Sequence, residues 1–249
     1  MSIKVSIITV SYNAAATIAD TLASVAVQSY PHIEHILIDG GSTDGTMNIA
    51  SRYPHLKHVV SEKDNGIYDA MNKGIQLASG DIIGILNGDD FYTSATIIEK
   101  VVKRFDEPNM DALYGDLVYV NETYTRITRR WKAGEYDPKK LYNGWMAPHP
   151  TFFVRRWVYD TYGHYDVSLR YAADYEIMLR FMLKHGIRCG YLPETMVVMK
   201  RGGKSNTSLR NRIIINREDR RAWRIAGLRP HLFTLILKPL SKLTQFINL

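Results

Sequence analysis

Apolar runs and amphipathic stretches alternate along the N-terminal part of the chain, as they do in proteins built from strand–helix units. Short apolar runs predict strands at residues 4–10, 33–38, 56–60 and 82–86. Apolar residues at helical spacing predict helices at residues 17–28, 46–53 and 67–78. A fourth helix should begin at a cap on Thr93 or Ser94 and end near Phe105. Strands that alternate with helices in this way predict an α/β fold with a mostly parallel central sheet.

The pattern becomes irregular and rich in aromatic residues after Asp111. Tyrosines and tryptophans between residues 114 and 145 are typical of the loops and short strands that shape a substrate site, although each one is also compatible with core packing. A last helix is predicted at residues 174–185, stopped by Gly186.

The composition suits one α/β domain with a short appendage, since 249 residues with 45% hydrophobic side chains can bury a sizeable core. The single cysteine, Cys189, excludes an internal disulfide and predicts a small core side chain in a reducing compartment. The first ten residues do not have the pattern of a signal peptide, so we expect a cytoplasmic protein.

The net charge of +7 is concentrated at the C-terminal end, where residues 200–249 carry 12 Lys or Arg against Glu218 and Asp219. A basic amphipathic helix is predicted at Leu209–Ile225, and the apolar segment after Pro230 is broken by Pro239 before it could span a bilayer. We expect residues 206–249 to lie on an anionic membrane surface. The alternatives are a helix that packs back on the domain and a contact between two copies in a homodimer.

Two adjacent carboxylates follow the fourth predicted strand, in the sequence Asn87-Gly88-Asp89-Asp90. Ligand sites in open α/β sheets lie beyond the carboxyl ends of the strands. Adjacent carboxylates repel unless a cation or several donors lie between them, and oxygen ligands suit Mg²⁺ or Mn²⁺ with a substrate diphosphate completing the shell. A solvated turn is the other interpretation of this string.

The loop after the second predicted strand, residues 39–45, is rich in glycine but fits neither a dinucleotide fingerprint nor a P-loop. Asp39 could accept hydrogen bonds from a nucleobase or ribose, whereas Ser42, Thr43 and Asp44 are suited to capping the next helix. Capping does not require the carboxylate of Asp39, which favours a binding turn.

Several strings in chain order resemble bacterial family 2 inverting glycosyltransferases over about residues 3–205. They are VSIITVSYN at 5–13, QSYPHIEHILIDGGSTDGT at 28–46, SEKDNGIYDAMNKGI at 61–75, GDIIGILNGDDFY at 80–92, APHPTFFVRR at 147–156 and AADYEIMLR at 172–180. The resemblance implies a GT-A type nucleotide-sugar-binding fold in residues 1–205 with a divalent metal. Residues 1–110 would form the nucleotide-sugar-binding half, residues 111–205 the acceptor-binding half, and residues 206–249 a C-terminal amphipathic helical tail.

Carried over by position, the resemblance implies one set of donor-binding residues, namely Thr9, Ser11, Asn13, Asp39, Asp69, Asn72, Lys73, Asn87 and Asp90. Residues 87–89 take the place of the family's DxD metal motif, and since Asn87 departs from that motif, Asp89 is the expected metal ligand. Asp174 takes the place of the catalytic base. His149, between two prolines, is expected near the diphosphate or acceptor, or else packed as a loop residue. The Gln-x-x-Arg-Trp string of processive synthases is missing, which favours a single addition.

The expected function is therefore inverting transfer of one sugar from a nucleotide sugar, a UDP-sugar, to a glycan acceptor. The acceptor would be a lipid-linked surface-polysaccharide or lipopolysaccharide intermediate at the cytoplasmic face of the membrane. A sugar nucleotidyltransferase is the nearest alternative, but residues 12–16 lack its basic glycine-rich loop. A nucleic-acid-binding module is disfavoured because the positive charge is confined to one tail, and we expect no nucleic-acid partner.

Overall fold

The computed structural model of the chain describes residues 2–200 and 209–246. The strands in chain order are β1 Val5–Ser11, β2 Ile33–Asp39, β3 Leu56–Ser61, β4 Ile82–Asn87, β5 Asp90–Tyr92, β6 Ala112–Val120, β7 Ile127–Trp131, β8 Phe153–Arg155 and β9 Cys189–Lys200. The α-helices are α1 Ile18–Ala26, α2 Thr46–Ala50, α3 Ile67–Leu77, α4 Ile97–Phe105, α5 Pro138–Tyr142, α6 Arg156–Tyr162, α7 Ala173–Met178, α8 Leu209–Ile225 and α9 Thr234–Ser241.

The strands form one sheet in the order β3-β2-β1-β4-β8-β6-β9-β5, with β7 paired to β6. The first four strands in this order are parallel, which confirms the sequence prediction for the N-terminal half. The sheet becomes mixed beyond β4, because β8 is antiparallel to both β4 and β6 whereas β9 is parallel to β6. The α/β fold with a central sheet between helices is therefore confirmed, with a mixed second half.

Burial explains why the N-terminal elements were predictable. All seven residues of β1 are buried, as expected for a parallel strand covered on both faces. In α1, Ile18, Leu22 and Val25 are buried at the spacing of one helix face. Helix α3 approaches β1 closely because Gly74 has no side chain: a Cβ there would lie 2.3 Å from Ile8 Cγ2.

Two helix boundaries differ from the predicted ones. Helix α4 begins at Ile97 with Thr96 as its N-cap, rather than after Thr93 or Ser94. Thr93 is instead engaged with β9, because its backbone N–H donates to Met196 O at 3.1 Å. The predicted helix at 174–185 is present as α7 followed by a π-helical turn at Leu179–Lys184, and Gly186 ends it with a φ of +61°.

The C-terminal helices pack back on the domain, which was one of the alternatives for the tail. Trp223 of α8 is fully buried, and its Nε1 donates to Tyr175 Oη at 3.0 Å. Lys238 of α9 forms a buried ion pair with Asp219 of α8 at 2.5 Å. Most of residues 200–205, a basic glycine-containing segment, lies outside the described residues. No helix in the described ranges is long and apolar enough to cross a membrane.

Candidate active site

The candidate site lies where the four parallel strands end. Ser11 at the end of β1 is in register with Asp39 at the end of β2, and Asn87 ends β4 beside Val10. Because parallel strands share one carboxyl edge, the loops that the sequence singled out converge there. The geometry thus brings together the first-strand loop, the turn at residues 39–45 and the acidic loop at residues 87–90.

Asp39 organises the first half of this edge. Its buried carboxylate accepts hydrogen bonds from Ser11 Oγ at 3.0 Å, Ser42 N at 2.8 Å and Ser61 Oγ at 2.7 Å. Burial would raise the pKa of Asp39, but the hydrogen bonds from Ser42 and Ser61 outweigh it and hold the pKa below its ordinary value. Asp39 is therefore ionised, and its charge fixes three serines around the turn.

Asn13 locks the first-strand loop to the same turn. Its backbone has a φ of +50°, a left-handed conformation that asparagine tolerates better than most residues. The Asn13 N–H donates to Ser42 Oγ at 2.8 Å, and Asn13 Oδ1 accepts from Thr43 N at 2.9 Å. The two loops that resemble the nucleotide-binding loops of the family are thus preorganised against each other.

Thr9 lies beneath this pocket and not on its surface. It is fully buried, and its Oγ1 is 2.9 Å from His35 Nε2. His35 Nδ1 is in turn 2.9 Å from His55 Nε2. Burial first, and the neighbouring His55 second, lower the pKa of His35 to about 3, so both the histidine and Thr9 form a neutral buried network. The sequence analysis did not identify this histidine pair.

Three predicted residues lie on α3, in two different settings. Lys73 Nζ is 2.7 Å from Glu62 Oε1 and 3.8 Å from Asp69 Oδ2, at the rim of the edge. Asn72 faces the other half of the molecule: its Nδ2 donates to Tyr165 O and its Oδ1 accepts from Tyr165 N, both at 2.9 Å. Asn72 therefore ties α3 to the segment that leads to α7.

The two carboxylates of the acidic loop have different environments. Asp90 is fully buried, and Asn87 Nδ2 donates to its Oδ2 at 2.9 Å. Burial, followed by the charge of Asp89, raises the pKa of Asp90 well above its ordinary value. Asn87 Oδ1 and Asp90 Oδ1 are buried without a hydrogen-bond partner. Asp89, by contrast, is exposed.

The acidic loop fits a divalent cation that is shared with a diphosphate. In the two described ranges no three His, Cys, Asp or Glu side chains come together as a complete ligand set. Mg²⁺ and related hard cations, however, are commonly held by one or two carboxylates plus substrate phosphates. Asp89 is the exposed carboxylate that could take this part, while the buried Asp90 and Asn87 shape the loop beneath it.

Asp174 lies in the first turn of α7, and its two carboxylate oxygens have different neighbours. Asp174 Oδ1 accepts hydrogen bonds from Tyr175 N at 2.8 Å and Tyr68 Oη at 3.2 Å. Its Oδ2 lies 3.5 Å from His149 Nδ1. One oxygen is therefore held by the protein, and the other lies beside an imidazole.

His149 lies beside Asp174, and the charge of Asp89 in the acidic loop also acts on it. Burial lowers the pKa of His149 from its ordinary value, the charges of Asp174 and Asp89 oppose that shift, and the charge of Lys242 adds to it. The net direction favours a neutral imidazole at neutral pH. Asp174 therefore contacts His149 directly, and Asp89 is near enough for its charge to act on the same imidazole.

Sequence reasoning missed several residues of this site. Tyr68 stands inside the string at residues 61–75, next to Asp69, so a local signal for it existed. Lys242, which follows α9, and Arg129 of β7, whose charge acts on Lys242, carried no such signal, because both are far in sequence from the strings that mark the site. Only the packing of the tail on the domain brings Lys242 near His149 and Asp174.

Comparisons with known proteins identify the family of the chain. Residues 6–170 match the protein family described as Glycosyl transferase family 2. A curated relative, the PGL/p-HBAD biosynthesis glycosyltransferase of Mycobacterium tuberculosis (strain ATCC 25177 / H37Ra), is 32% identical over 208 residues, which cover 81% of this chain and 79% of the relative. The putative teichuronic acid biosynthesis glycosyltransferase TuaG of Bacillus subtilis is 44% identical over 90 residues, 34% of this chain and 36% of that protein.

Solved structures show the same fold. The S. aureus TarS 1-349 complex with UDP-GlcNAc superposes with a TM-score of 0.72 at 19% identity, over 94% of this chain and 69% of that chain. The mannosyltransferase PcManGT from Pyrobaculum calidifontis, in complex with GDP-Man and Mn²⁺, gives a TM-score of 0.67 at 20% identity, over 97% of this chain and 70% of that one. The fold is thus of the GT-A type, and the family match covers more than half of the chain. This protein belongs to glycosyl transferase family 2 and is a glycosyltransferase.

Proposed function

We propose that the protein is an inverting, metal-dependent transferase that moves one sugar from a UDP-sugar to a lipid-linked glycan acceptor, a hexose or an N-acetylhexosamine being the group transferred. The observation that carries this proposal is the contact of Asp174 with His149, an imidazole on which the charge of Asp89 also acts. Transfer from a nucleoside diphosphate needs a base for the acceptor hydroxyl and positive charge for the leaving diphosphate. Asp174 could supply the base, and a cation held by Asp89 could supply the positive charge.

Asp174 is assigned the role of base. Its Oδ1 is engaged by Tyr175 and Tyr68, so Oδ2 is the oxygen that can take the proton of the acceptor hydroxyl. Neutral His149, 3.5 Å from that oxygen, can orient the acceptor without competing as a cation. With one base and no covalent nucleophile required, a single in-line displacement inverts the configuration at the sugar carbon.

Asp89 is assigned the role of metal ligand. A divalent cation on Asp89 would neutralise charge on the departing diphosphate. The Mn²⁺ in the complex of PcManGT supports this assignment, and either Mn²⁺ or Mg²⁺ suits an oxygen ligand. The hydrogen bond from Asn87 to the buried Asp90 would stabilise the loop that carries Asp89.

The nucleoside is assigned to the edge formed by the first-strand loop and the turn at residues 39–45. Ser11 and Asn13 line it, Asp39 fixes its serines, and Asp69 and Lys73 stand at its rim. Thr9 and Asn72 are already bonded within the protein, so they would support the pocket from below and from the side. The UDP-GlcNAc complex of TarS supports a uridine-linked donor.

The acceptor is assigned to the cytoplasmic membrane face, where the protein would bind peripherally through its tail. The outward side of α9 and its flanks carries exposed apolar residues, which we call the apolar stripe: Leu232, Phe233, Ile236 and Leu240. Helix α8, whose Asp219 pairs with Lys238 of α9, carries exposed arginines, and these would add attraction to anionic lipid. The relatives named for PGL/p-HBAD and teichuronic acid biosynthesis support a cell-surface glycan as the product.

A donor screen tests the proposal. The purified chain should be stabilised against heating by UDP-sugars in the presence of Mn²⁺, and the stabilisation should shrink when Mn²⁺ is removed. In Asp89→Asn the dependence on Mn²⁺ should disappear, whereas Asp160→Asn, an exposed aspartate on α6, should behave as the parent. Equal Mn²⁺ dependence in Asp89→Asn and the parent would remove Asp89 as the ligand, and no response to any nucleotide sugar would overturn the proposed reaction.

A further inference from the structure

The C-terminal segment packs against β7 and against the loop that precedes His149. Arg129 of β7 donates hydrogen bonds from both Nε and Nη2 to Gln245 Oε1, and its guanidinium lies over the ring of Phe246. Ser241 Oγ donates to Gly144 O at 3.3 Å. Leu235, Lys238 and Lys242 follow one another at helical spacing, and the first two are buried against the domain. The end of α9 is thus docked with Lys242 on its inward side.

Two of the cations at this contact have no carboxylate partner. Lys238 is neutralised by Asp219 at 2.5 Å. No carboxylate of the described residues lies within ion-pair distance, 4.0 Å, of Lys242 or Arg129. Burial, then the charges of Lys238 and Arg129, lower the pKa of Lys242 to about 8. Partly buried positive charges that repel each other are costly unless an anion joins them.

We propose that Lys242 and Arg129 form a subsite that binds a phosphate group of the acceptor beside Asp174. A lysine ammonium and an arginine guanidinium can both donate to phosphate oxygens, and in Arg129 Nη1 would do so, because Nε and Nη2 already donate to Gln245. The inference rests on the proposed function and names the acceptor as a phosphate-bearing lipid. The donor diphosphate would be the other phosphate bound near Asp174, but a cation held by Asp89 would neutralise its charge.

The position of the subsite supports a lipid phosphate. Lys238, one helical turn before Lys242, lies with its Nζ 3.4 Å from the centre of the Tyr175 ring, and Tyr175 directly follows Asp174. The charges of Lys242 and Asp174 also act on each other, so the subsite adjoins the assigned base. The apolar stripe lies on the opposite side of the same helix, where about half or more of each side chain is exposed, from 50% for Leu240 to 85% for Leu232. A single helix would then contact the lipid surface on one side and the phosphate on the other.

Binding of farnesyl phosphate, a short polyprenyl phosphate, tests the subsite without requiring turnover. The full chain and its Lys242→Met, Lys242→Arg and Lys103→Met variants would be titrated with farnesyl phosphate, with farnesol, and with UDP plus Mn²⁺. We expect Lys242→Met to weaken farnesyl phosphate binding by about tenfold, the usual loss for a charged hydrogen bond. Farnesol and UDP binding should remain as in the parent, Lys242→Arg should retain affinity, and Lys103→Met, an exposed lysine on α4, should have no effect.

The outcomes separate this inference from the proposed reaction. Unchanged farnesyl phosphate affinity in Lys242→Met would overturn the subsite, and so would a loss confined to UDP, which would assign the cations to the donor. A parent chain that binds farnesyl phosphate but no nucleotide would overturn the reaction while retaining the subsite. If Lys242→Met fails to fold by circular dichroism, Lys242→Gln carries the same expectation with a polar side chain.

Discussion

The carboxylates of the candidate site differ in their surroundings, and Asp174 is one example. One of its oxygens is held by Tyr68 and Tyr175, and the other faces His149. Asp89 is exposed and its charge acts on the same imidazole, while its neighbour Asp90 is buried with a raised pKa. Adjacent aspartates in the sequence thus have opposite environments, and that difference decides which of them can meet a metal.

Replacing Asp174 by Asn should lower turnover by about 10²- to 10⁴-fold, the usual contribution of a general base. Donor binding should be retained, because the amide can still accept hydrogen bonds from Tyr68 and Tyr175. Turnover would be measured as UDP release with acceptor, and donor affinity by calorimetry. Asp160→Asn is the matched control. If donor affinity fell together with turnover, Asp174 would hold the structure and not the proton.

The buried pair of His35 and His55 predicts a loss of stability in acid. The folded pKa of His35 is about 3, below its unfolded value, so between about pH 6.5 and pH 3 the unfolded chain binds a proton that the folded chain does not. The free energy of unfolding should therefore decrease as the pH is lowered through this range, by up to about 1.4 kcal/mol per pH unit from this group. Urea unfolding at pH 7 and pH 5 would measure it.

The slope should be smaller in His35→Gln, which removes the titrating group. His32→Gln, an exposed histidine just before β2, should keep the parental slope. Carboxylates contribute to the slope in all three proteins, so the comparison isolates His35. An unchanged slope in His35→Gln would show that His35 is protonated in the folded chain.

At the scale of elements, the contact between α9 and the loop after α5 decides whether the tail belongs to the domain. Gly144 has a φ of +81°, and a Cβ on it would lie 2.3 Å from the backbone N of Lys238. Thr234 Oγ1 also donates to Tyr142 O, at 2.5 Å. The helix therefore rests directly on backbone, where no side chain could move aside.

Gly144→Ala should destabilise the protein more than Gly134→Ala. Both glycines have positive φ, +81° and +68°, so each substitution carries the same kind of backbone strain. Only Gly144 has α9 against it, whereas nothing lies within 4 Å of a Cβ at Gly134. We expect a further loss of about 1–3 kcal/mol for Gly144→Ala, the usual cost of overpacking, measured by urea unfolding. Equal losses would mean that α9 does not rest on this loop.

For the molecule as a whole, the tail has one side buried against the domain and one side exposed. Its inward side joins the main core through Trp223 and Leu235. Its outward side carries the apolar stripe, a patch of a kind that often marks an interaction surface. Membrane association is therefore compatible with a packed tail, and substitution of the stripe tests it better than deletion of the tail.

The triple variant Phe233→Ser, Ile236→Ser, Leu240→Ser should bind anionic vesicles more weakly than the parent. The three side chains are 50–61% exposed, so their loss should leave the free energy of unfolding nearly unchanged. Co-sedimentation with phosphatidylglycerol vesicles would be measured at low and high salt, since screening should weaken the contribution of the arginines. The control is Val27→Ser with Val167→Ser, 62% and 56% exposed elsewhere on the chain. Equal binding by both variants and the parent would exclude the stripe as the membrane contact.

The N-terminal half could be predicted from sequence because its signals are local. The strands β1, β2 and β4 are buried runs, β3 alternates partly buried and exposed residues, and the helices between them place apolar residues on one face. Periodicity alone therefore gave each element to within a few residues. The loops with Asp39 and Asp89 followed, because parallel strands share an edge. The mixed second half was not predictable, since β6 to β9 pair across long stretches of chain and their register depends on partners that periodicity does not identify.

What the sequence determined by itself was the α/β class, the residues at the strand ends, and through its ordered strings the resemblance to a glycosyltransferase family. Tertiary structure alone decided that Asp90 is buried while Asp89 is exposed, that Thr9 and Asn72 are bonded within the protein, and that Lys242 comes near Asp174 from the tail. The physical reason is that burial and charge environment depend on which distant segments pack together. Residue type and spacing set what a side chain can do, and packing sets which partner it meets.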